Sequence, residues 1–256
     1  MLRRDNGGPA ATMVSGHAGN NWPFRGGKQT NFEGGVRVPA FMGGGFLPAS
    51  ARRGNLTGYI HAADWYPTFC TLGGGVDCLE EKSDGVVNKH VPTVDGYNMW
   101  PYVIGQVKAS PRTEIMLDSV CYAPGSCVNG SAGKKSPCDP EHLCIGAIIS
   151  GDFKLVLGMQ KYGFWMGPVY PNASTDHSKE RPFDCKAGCL FDIQKDPAEH
   201  HDLATTRASK LGQMTELWHQ RQTTAFQAPK LKPNPAKCEA YREAHGGYTG
   251  PYLSSK

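Results

Sequence analysis

The sequence predicts a mixed α and β protein whose second half is a small antiparallel sheet with one helix packed on it, an α+β arrangement. The segment 145–157 is apolar on both sides of Ser150-Gly151-Asp152 and therefore predicts a β-hairpin with a short turn. A helix over about 205–225 is predicted by apolar residues at helical spacing, namely Leu211, Met214 and Trp218.

The remaining elements follow from local patterns. Two further strands, at 114–117 and 189–193, complete the predicted sheet. In the first half, 36–41 predicts a short strand after a glycine-rich loop, and 59–72 predicts a buried helix. Asp64 is an acceptable N-cap for that helix.

Two predictions concern the ends of elements in the second half. Asp196-Pro197-Ala198-Glu199 is typical of a helix start, because Asp can cap, Pro suits the first position and Glu can return the capping bond. The proline-rich tail from Pro229 predicts irregular structure. We place a domain boundary near 107–111, which gives one domain at 1–108 and another at 109–256.

Composition excludes several classes of protein. The 256 residues carry 27 basic and 23 acidic side chains, and the net charge of +4 is scattered, so a basic nucleic-acid-binding face is not indicated. No apolar stretch approaches the ~20 residues that a membrane span needs. The basic MLRR start precedes no apolar run and is not typical of a signal peptide.

The cysteines and glycosylation motifs point to an oxidising compartment. There are nine cysteines, and N-x-[ST] sequons occur at Asn55, Asn129 and Asn172. Together they favour a secreted or lysosomal location. Cys185–Cys189 and Cys121–Cys127 are read as disulfide pairs, and the odd count leaves at least one thiol without an internal partner.

Several polar residues could carry chemistry. Asp5 and Asn6, followed by two glycines, offer hard oxygen ligands suited to Ca²⁺ or Mg²⁺, although Asn-Gly is also ordinary turn punctuation. Lys28, in a glycine-rich loop, could place a point charge on an anionic substrate oxygen, or could be a solvated loop lysine. His17 could be a base or ligand, and is read as an exposed loop histidine.

His200, His201 and Asp202 invite a metal interpretation, but adjacent side chains on a helix diverge. We therefore assign them to the start of the predicted helix. Zinc-spaced C-x-x-C pairs, G-x-S-x-G, Walker loops and H-E-x-x-H are all absent from the sequence.

Taken in order, the motifs of the chain resemble the C-terminal half of the sulfatase family, in particular arylsulfatase B-like enzymes. The resemblance runs over nearly the whole chain and is carried by DNGG, NNWPFRGGK, EGGVRVPAF, HAADWYPTFCTLGG, DGYNMWP, SPRTEIMLDS, GAIISGDFKLVLG, CLFDIQKDPAEHHDLA and KCEAYREAHGGYTGPYL.

The resemblance implies a fold and a chemistry. It implies the C-terminal portion of an alkaline-phosphatase-like α/β catalytic domain, followed by a small α+β domain, and hydrolysis of sulfated sugars or aryl sulfates. Asp5 and Asn6 fall on the family's pair of Ca²⁺ ligands, and Lys28 falls on the lysine that contacts the substrate sulfate. Cys238 resembles a tail cysteine that pairs with a cysteine outside this chain.

The chain also departs from the family pattern. The C-x-P-x-R signature, which supplies the formylglycine nucleophile, is absent, and so are the paired aspartates that complete the calcium site. Two hypotheses remain open. The chain is a truncated or partial sulfatase that is inactive by itself, or it is a non-catalytic glycan-binding or scaffold remnant of one.

Overall fold

The structure is a computed structural model of the chain, and it describes residues 2–3, 6–9, 19–52, 54–75, 82–83, 86–87, 94–121, 144–166, 183–224 and 235–248. The predictions for Asp5, His17, Asn129 and Asn172, and that for the Cys121–Cys127 pair, concern side chains outside the described part.

The strands are β1 (Leu2–Arg3), β2 (Ala40–Phe41), β3 (Lys82–Ser83), β4 (Val86–Val87), β5 (Glu114–Cys121), β6 (Cys144–Ser150), β7 (Phe153–Gln160) and β8 (Phe183–Asp192). The α-helices are α1 (Glu33–Val36), α2 (Trp65–Leu72), α3 (Trp100–Val103), α4 (Ala208–Gln222) and α5 (Pro235–Ala244), and short 3-10 helices occupy Ala49–Ala51 and Ala62–Asp64.

The principal sheet is antiparallel, with strand order β5-β6-β7-β8. The predicted hairpin is its centre, formed by β6 and β7 with Gly151 in the left-handed region at φ 57°. The two-residue strands β1 and β2 pair with each other, as do β3 and β4. The mixture of helices and an antiparallel sheet confirms the predicted fold class.

Alternating side chains give the sheet two buried faces. On one face, Ile148 and Leu155 pack with Met214 and Trp218 of α4. On the other face, the neighbouring residues of the same strands pack on Phe32, which precedes α1. A Cβ at Gly146 would lie 2.5 Å from the Trp218 indole, so only glycine allows the ring to sit against β6.

Asp64 was predicted to be the N-cap of α2, but its side chain makes no capping hydrogen bond to that helix. Instead, its carboxylate forms a buried ion pair with Arg112. Both of its carboxylate oxygens accept hydrogen bonds from Arg112, at 2.8 Å for Nε to Oδ2. The same carboxylate accepts from the backbone N–H groups of His61 and Tyr97, at 2.6 and 2.8 Å. These bonds join three segments of the chain at one buried carboxylate.

Three local predictions are wrong. Residues 33–36 form α1, so the strand predicted at 36–41 is reduced to β2. Asp196–Glu199 is a turn, because Glu199 is drawn into the interior with φ 57°, and α4 begins only at Ala208. The tail predicted to be irregular contains α5.

The chain divides into two compact units, Met1–Ala225 and Phe226–Lys256. The second unit contains α5, on which Cys238 is a free cysteine. The boundary predicted near 107–111 stays a prediction, and hydrogen bonds such as Gly26 N to Phe164 O join residues on its two sides. Among the described helices, none is long and apolar enough to cross a bilayer.

Replacement of Trp218 by alanine is expected to lower the free energy of unfolding by about 3–5 kcal/mol, because it removes a fully buried indole and leaves a cavity between α4 and the sheet. Equilibrium denaturation in urea measures the change. Trp22→Ala is the matched control, since that indole is 55% exposed. Equal losses in the two variants would contradict the assignment of Trp218 to the core.

Candidate functional site

The candidate site consists of three glycine-rich segments that backbone hydrogen bonds join: residues 6–8, residues 25–28 (the Lys28 loop) and residues 33–35 of α1. Residues 6–8 lie between two other segments. Gly7 N–H donates to Gly35 O of α1, at 3.0 Å, and Lys28 N–H donates to Gly8 O, at 2.9 Å. The segment that carries Asn6 is thereby fixed to the segment that carries Lys28.

Gly7 is required because the backbones touch. A Cβ on Gly7 would lie 1.7 Å from Gly34 O, well inside van der Waals contact. Gly8 has the same role against Gly19, whose Cα would be 2.5 Å from a Cβ at position 8. The paired glycines after Asn6 therefore serve close approach of the backbones rather than turn chemistry alone.

Asn21 joins the two segments through its side chain. Its Oδ1 accepts from Gly8 N–H at 2.8 Å, and its Nδ2 donates to Gly8 O at 2.9 Å and to Gly26 O at 3.1 Å. A single amide thus bonds both polar groups of Gly8 and one carbonyl of the Lys28 loop. Only an amide supplies one acceptor and two donors in this arrangement.

The loop is anchored to the sheet by a buried ion triad. Lys154 of β7 is fully buried, and its Nζ lies 3.0 Å from Glu33 Oε1 and 2.9 Å from Glu199 Oε1. Glu199 Oε2 also accepts from Glu33 N–H at 2.7 Å. The Glu199 Oε1 contact is electrostatic rather than a well-directed hydrogen bond, since that oxygen has no donor in favourable geometry.

The triad changes the proton affinities of its members. Burial opposes the charge on Lys154, but Glu199 and Glu33 outweigh it and raise the lysine pKa above its usual value. Burial is also the main reason that the pKa of Glu199 is raised, reinforced by the nearby Glu33 carboxylate and opposed by Lys154. Two carboxylates that share one ammonium also repel each other, which favours the protonated form of Glu199.

Arg25 provides a second anchor. Its guanidinium is buried, lies over the rings of Phe32, Trp165 and Phe183 at 3.6–4.2 Å, and donates from Nε to Gly163 O at 2.8 Å. Burial lowers its pKa to about 10, partly offset by the charge of Glu199. Because Arg25 O accepts from Gly34 N–H at 2.7 Å, this residue also holds α1 against the Lys28 loop.

A backbone hydrogen bond joins the segments that bear two of the predicted site residues, Asn6 and Lys28. Asn6 is half-buried, and Lys28 is exposed and makes no ion pair within the described ranges. Its ammonium is therefore accessible to an external anion. Asp5 is not among the described residues, although it adjoins Asn6 in sequence.

The histidines at 200 and 201 do not start a helix. His200 stacks on Trp165 with ring centroids 4.6 Å apart, and His201 Nδ1 lies 3.6 Å from Asp196 Oδ2. Asp202 accepts from Leu190 N–H at 3.0 Å and from Ala204 N–H at 2.9 Å, so it fixes the turn to β8.

The chemistry of the predicted ligands suits a hard divalent cation, but their number is small. Asn6 offers an amide oxygen and Asp5 a carboxylate, whereas Ca²⁺ takes about 6–8 oxygen ligands. In the described ranges, no group of three or more His, Cys, Asp or Glu side chains is arranged to hold a metal ion. These residues could supply part of a calcium site only.

Sequence reasoning missed Asn21, Glu33, Lys154 and Glu199. For Lys154 a signal exists, because a lysine inside the apolar strand FKLVLG must be paired if that strand is buried. Asn21 gives no such signal, since its partner Gly8 lies 13 residues away.

Gly7→Ala is expected to lower the free energy of unfolding by about 1–3 kcal/mol, because its Cβ would collide with Gly34 O and push α1 away. Thermal and urea denaturation measure the effect. Gly212→Ala, in open space on α4, is expected to be neutral or stabilising. A harmless Gly7→Ala would show that the two backbones are not in contact.

The raised pKa of Glu199 predicts a pH dependence of stability. The folded state holds this proton more tightly than the unfolded state, whose pKa is near 4.5, so stability falls as pH rises from 4.5 through the folded value. Glu199→Gln removes the titration and should flatten this part of the curve of unfolding free energy against pH. An unchanged slope would contradict the assignment.

Comparison with known proteins finds two arylsulfatases among the proteins similar to this chain. The chain is 27% identical over 259 residues to arylsulfatase J of Mus musculus, covering 98% of this chain and 39% of that protein. It is 28% identical over 204 residues to arylsulfatase A of Bos taurus, covering 78% of this chain and 32% of that protein. No protein-family model matches the chain.

A solved structure shares the fold. The crystal structure of Ps i-CgsB superposes with a TM-score of 0.52 and 21% identity, over 95% of this chain and 40% of that chain. The chain thus spans about two fifths or less of the length of these proteins. The comparisons confirm the resemblance carried by the motifs, and over most of its length this chain is similar to part of two arylsulfatases.

Proposed function

We propose that this chain forms the lysine-bearing and part of the cation-binding side of a sulfuric ester hydrolase. The observation that carries the proposal is the hydrogen bond from Lys28 N–H to Gly8 O, which ties the exposed lysine to the segment that bears Asn6. A lysine beside a segment that offers oxygen ligands to a metal ion suits an anion, such as a sulfate ester, that both the ammonium and the metal ion can contact.

Lys28 acts on the substrate directly in this proposal. Its exposed ammonium donates to a sulfate oxygen and to the departing alcohol oxygen, where negative charge develops. Asn6, with Asp5, would contribute two ligands to Ca²⁺, which when bound supplies further positive charge to the same anion. Asn21 keeps the segments of Asn6 and Lys28 at a constant separation through its bonds to Gly8 and Gly26.

The nucleophile is the component that this sequence does not contain. Family members use a formylglycine made from C-x-P-x-R, and the 256 residues have no such motif. We therefore propose binding without turnover for this chain alone. The same fact supports the alternative function, a non-catalytic glycan-binding or scaffold remnant, because the Lys28 loop is intact without the nucleophile.

The proposed ligand is a sulfated sugar or an aryl sulfate. Support for a glycan comes from Ps i-CgsB, whose crystal structure in complex with k-i-k-neocarrahexaose aligns with 95% of this chain at a TM-score of 0.51. That oligosaccharide is the ligand of Ps i-CgsB, and the extension to this chain is ours. Inhibition of aryl sulfate binding by sulfated oligosaccharides would distinguish the two ligand types.

A secreted or lysosomal location is part of the proposal. Asn55 of the first sequon is exposed in a segment without helix or strand, where a glycan could be attached. The Sγ atoms of Cys185 and Cys189 lie at disulfide distance, 2.09 Å apart, which supports the proposed pairing of these two cysteines. Cys238, which is free, is proposed to pair with a cysteine outside this chain.

Lys28→Ala is expected to weaken the binding of 4-nitrophenyl sulfate about 10- to 100-fold, since a charged hydrogen bond is lost. Lys28→Arg should give an intermediate loss, because it keeps the charge but changes the donor geometry. Isothermal calorimetry on the full 256-residue chain measures the affinities.

Lys161→Ala is the matched control, because it removes an exposed lysine outside the site loop. Release of 4-nitrophenol, followed in parallel, distinguishes a hydrolase from a binding protein. Equal weakening by the Lys28 and Lys161 variants, or no binding by the unaltered chain, would refute the proposed role of the loop.

A further inference from the structure

Glu199 lies far from Lys28 and Asn6 in sequence, yet it contacts the element on which their loop rests. We propose that Glu199, supported by Lys154, is a positioning residue for the segment that bears Asn6. The chemistry assigned to Asn6 rests on the proposed function, whereas the positioning of the segment can be measured without it.

The contacts form one continuous path. Lys154 lies in the buried core of β7 and holds Glu199 by the ion pair at 2.9 Å. Glu199 Oε2 accepts from Glu33 N–H at 2.7 Å, which fixes the first residue of α1. Two residues on, Gly35 O accepts from Gly7 N–H at 3.0 Å, and Gly7 adjoins Asn6.

A second contact ties Glu199 to the same region. Its backbone carbonyl accepts from Arg25 Nη1 at 3.3 Å, and Arg25 O in turn accepts from Gly34 N–H. The groups that face the Glu199 carboxylate are therefore Lys154 and Glu33, whereas Arg25 bonds the backbone carbonyl of Glu199. Both the side chain and the main chain of Glu199 hold α1 from outside the loop.

Burial of the Glu199 carboxyl and the positive φ of its backbone both lower the stability of the folded state, so a role limited to filling space does not explain this residue. Glu199 is completely buried and adopts φ 57°, in the left-handed region that a non-glycine residue rarely adopts. A buried charge also loses its hydration, and an apolar side chain of similar size is often as stable as a buried ion pair. What an apolar side chain cannot do is accept the Glu33 N–H.

Two substitutions separate the acceptor from the charge. Glu199→Gln and Glu199→Met both remove the negative charge, leave the Lys154–Glu33 pair, and have unbranched side chains of similar length. Only glutamine retains an oxygen for Glu33 N–H. A difference between these variants therefore reports on the hydrogen bond and not on charge or volume.

The primary measurement is hydrogen exchange of individual backbone amides in the full chain. In Glu199→Met, the Gly7 amide should exchange about tenfold faster or more, because α1 no longer holds Gly35 O in place. Glu199→Gln should leave Gly7 within about twofold of the unaltered protein, and amides of β6 and β7 should be unchanged in both. A uniform increase across the sheet, or equal effects of the two variants, would overturn the proposal.

Glu199→Gly covers the case in which the methionine variant does not fold. Glycine adopts φ 57° without strain and also lacks the acceptor, so the same local acceleration at Gly7 is expected. Normal protection of Gly7 in a folded Glu199→Gly protein would contradict the positioning role.

The link to the site is tested by binding of 4-nitrophenyl sulfate to the same variants. Loss of affinity of about tenfold in Glu199→Met, with little change in Glu199→Gln, is expected if the position of the loop controls binding. If the unaltered chain does not bind this probe, the proposed function fails, while the exchange result still decides the positioning role. Equal affinity in the methionine and glutamine variants would refute the link to ligand binding.

Discussion

The structure of the loop depends on one buried lysine. Lys154 is the second residue of β7, is fully buried, and places its ammonium between Glu33 and Glu199. Because a charge cannot stay unpaired in that environment, the chain must bring a carboxylate to it, and two lie within 3.0 Å of its Nζ. One carboxylate begins α1 and the other belongs to the turn after β8, so satisfying Lys154 also joins the loop to the sheet.

The loop itself is held mainly by backbone groups, which explains its composition. Gly7 and Gly34 approach so closely that any side chain on Gly7 would collide with the neighbouring carbonyl, and Gly8 packs on Gly19 in the same way. Glycine loses more conformational entropy on folding than other residues. Such a segment therefore needs external anchors, and Asn21, Arg25 and the Lys154 triad provide them.

The parts of the fold that the sequence predicts well are those decided by neighbours along the chain. The β6–β7 hairpin and α4 follow from local periodicity and were found within a few residues of the expected bounds. The prediction at 196–199 was wrong. Asp-Pro-x-Glu has the pattern of a helix start, but the Glu199 side chain pairs with Lys154 in the interior and does not return the capping hydrogen bond. A tertiary contact overrode a local preference.

In the candidate site, too, the sequence predicts what local motifs determine and misses what tertiary contacts determine. Lys28 and Asn6 could be named from motif and chemistry, since each is a polar residue in a glycine-rich context. Their connection through Gly8 and Asn21 could not, because it depends on backbone groups that every residue possesses. Residues that act by placing another backbone leave little trace in a single sequence, except where they must be buried and charged, as Lys154 is.

The charged side chains around the loop fall into two groups, the exposed Lys28 and the buried residues that anchor the loop. Lys28 is exposed and without an ion-pair partner in the described ranges, whereas Lys154 and Glu199 are buried and ion-paired. Arg25 is buried over the Phe183 ring. A pairing of Lys28 with a carboxylate of the protein would neutralise it before any anion arrived. Because the buried carboxylates are already engaged by Lys154, they do not compete for Lys28, whose side chain stays exposed to solvent.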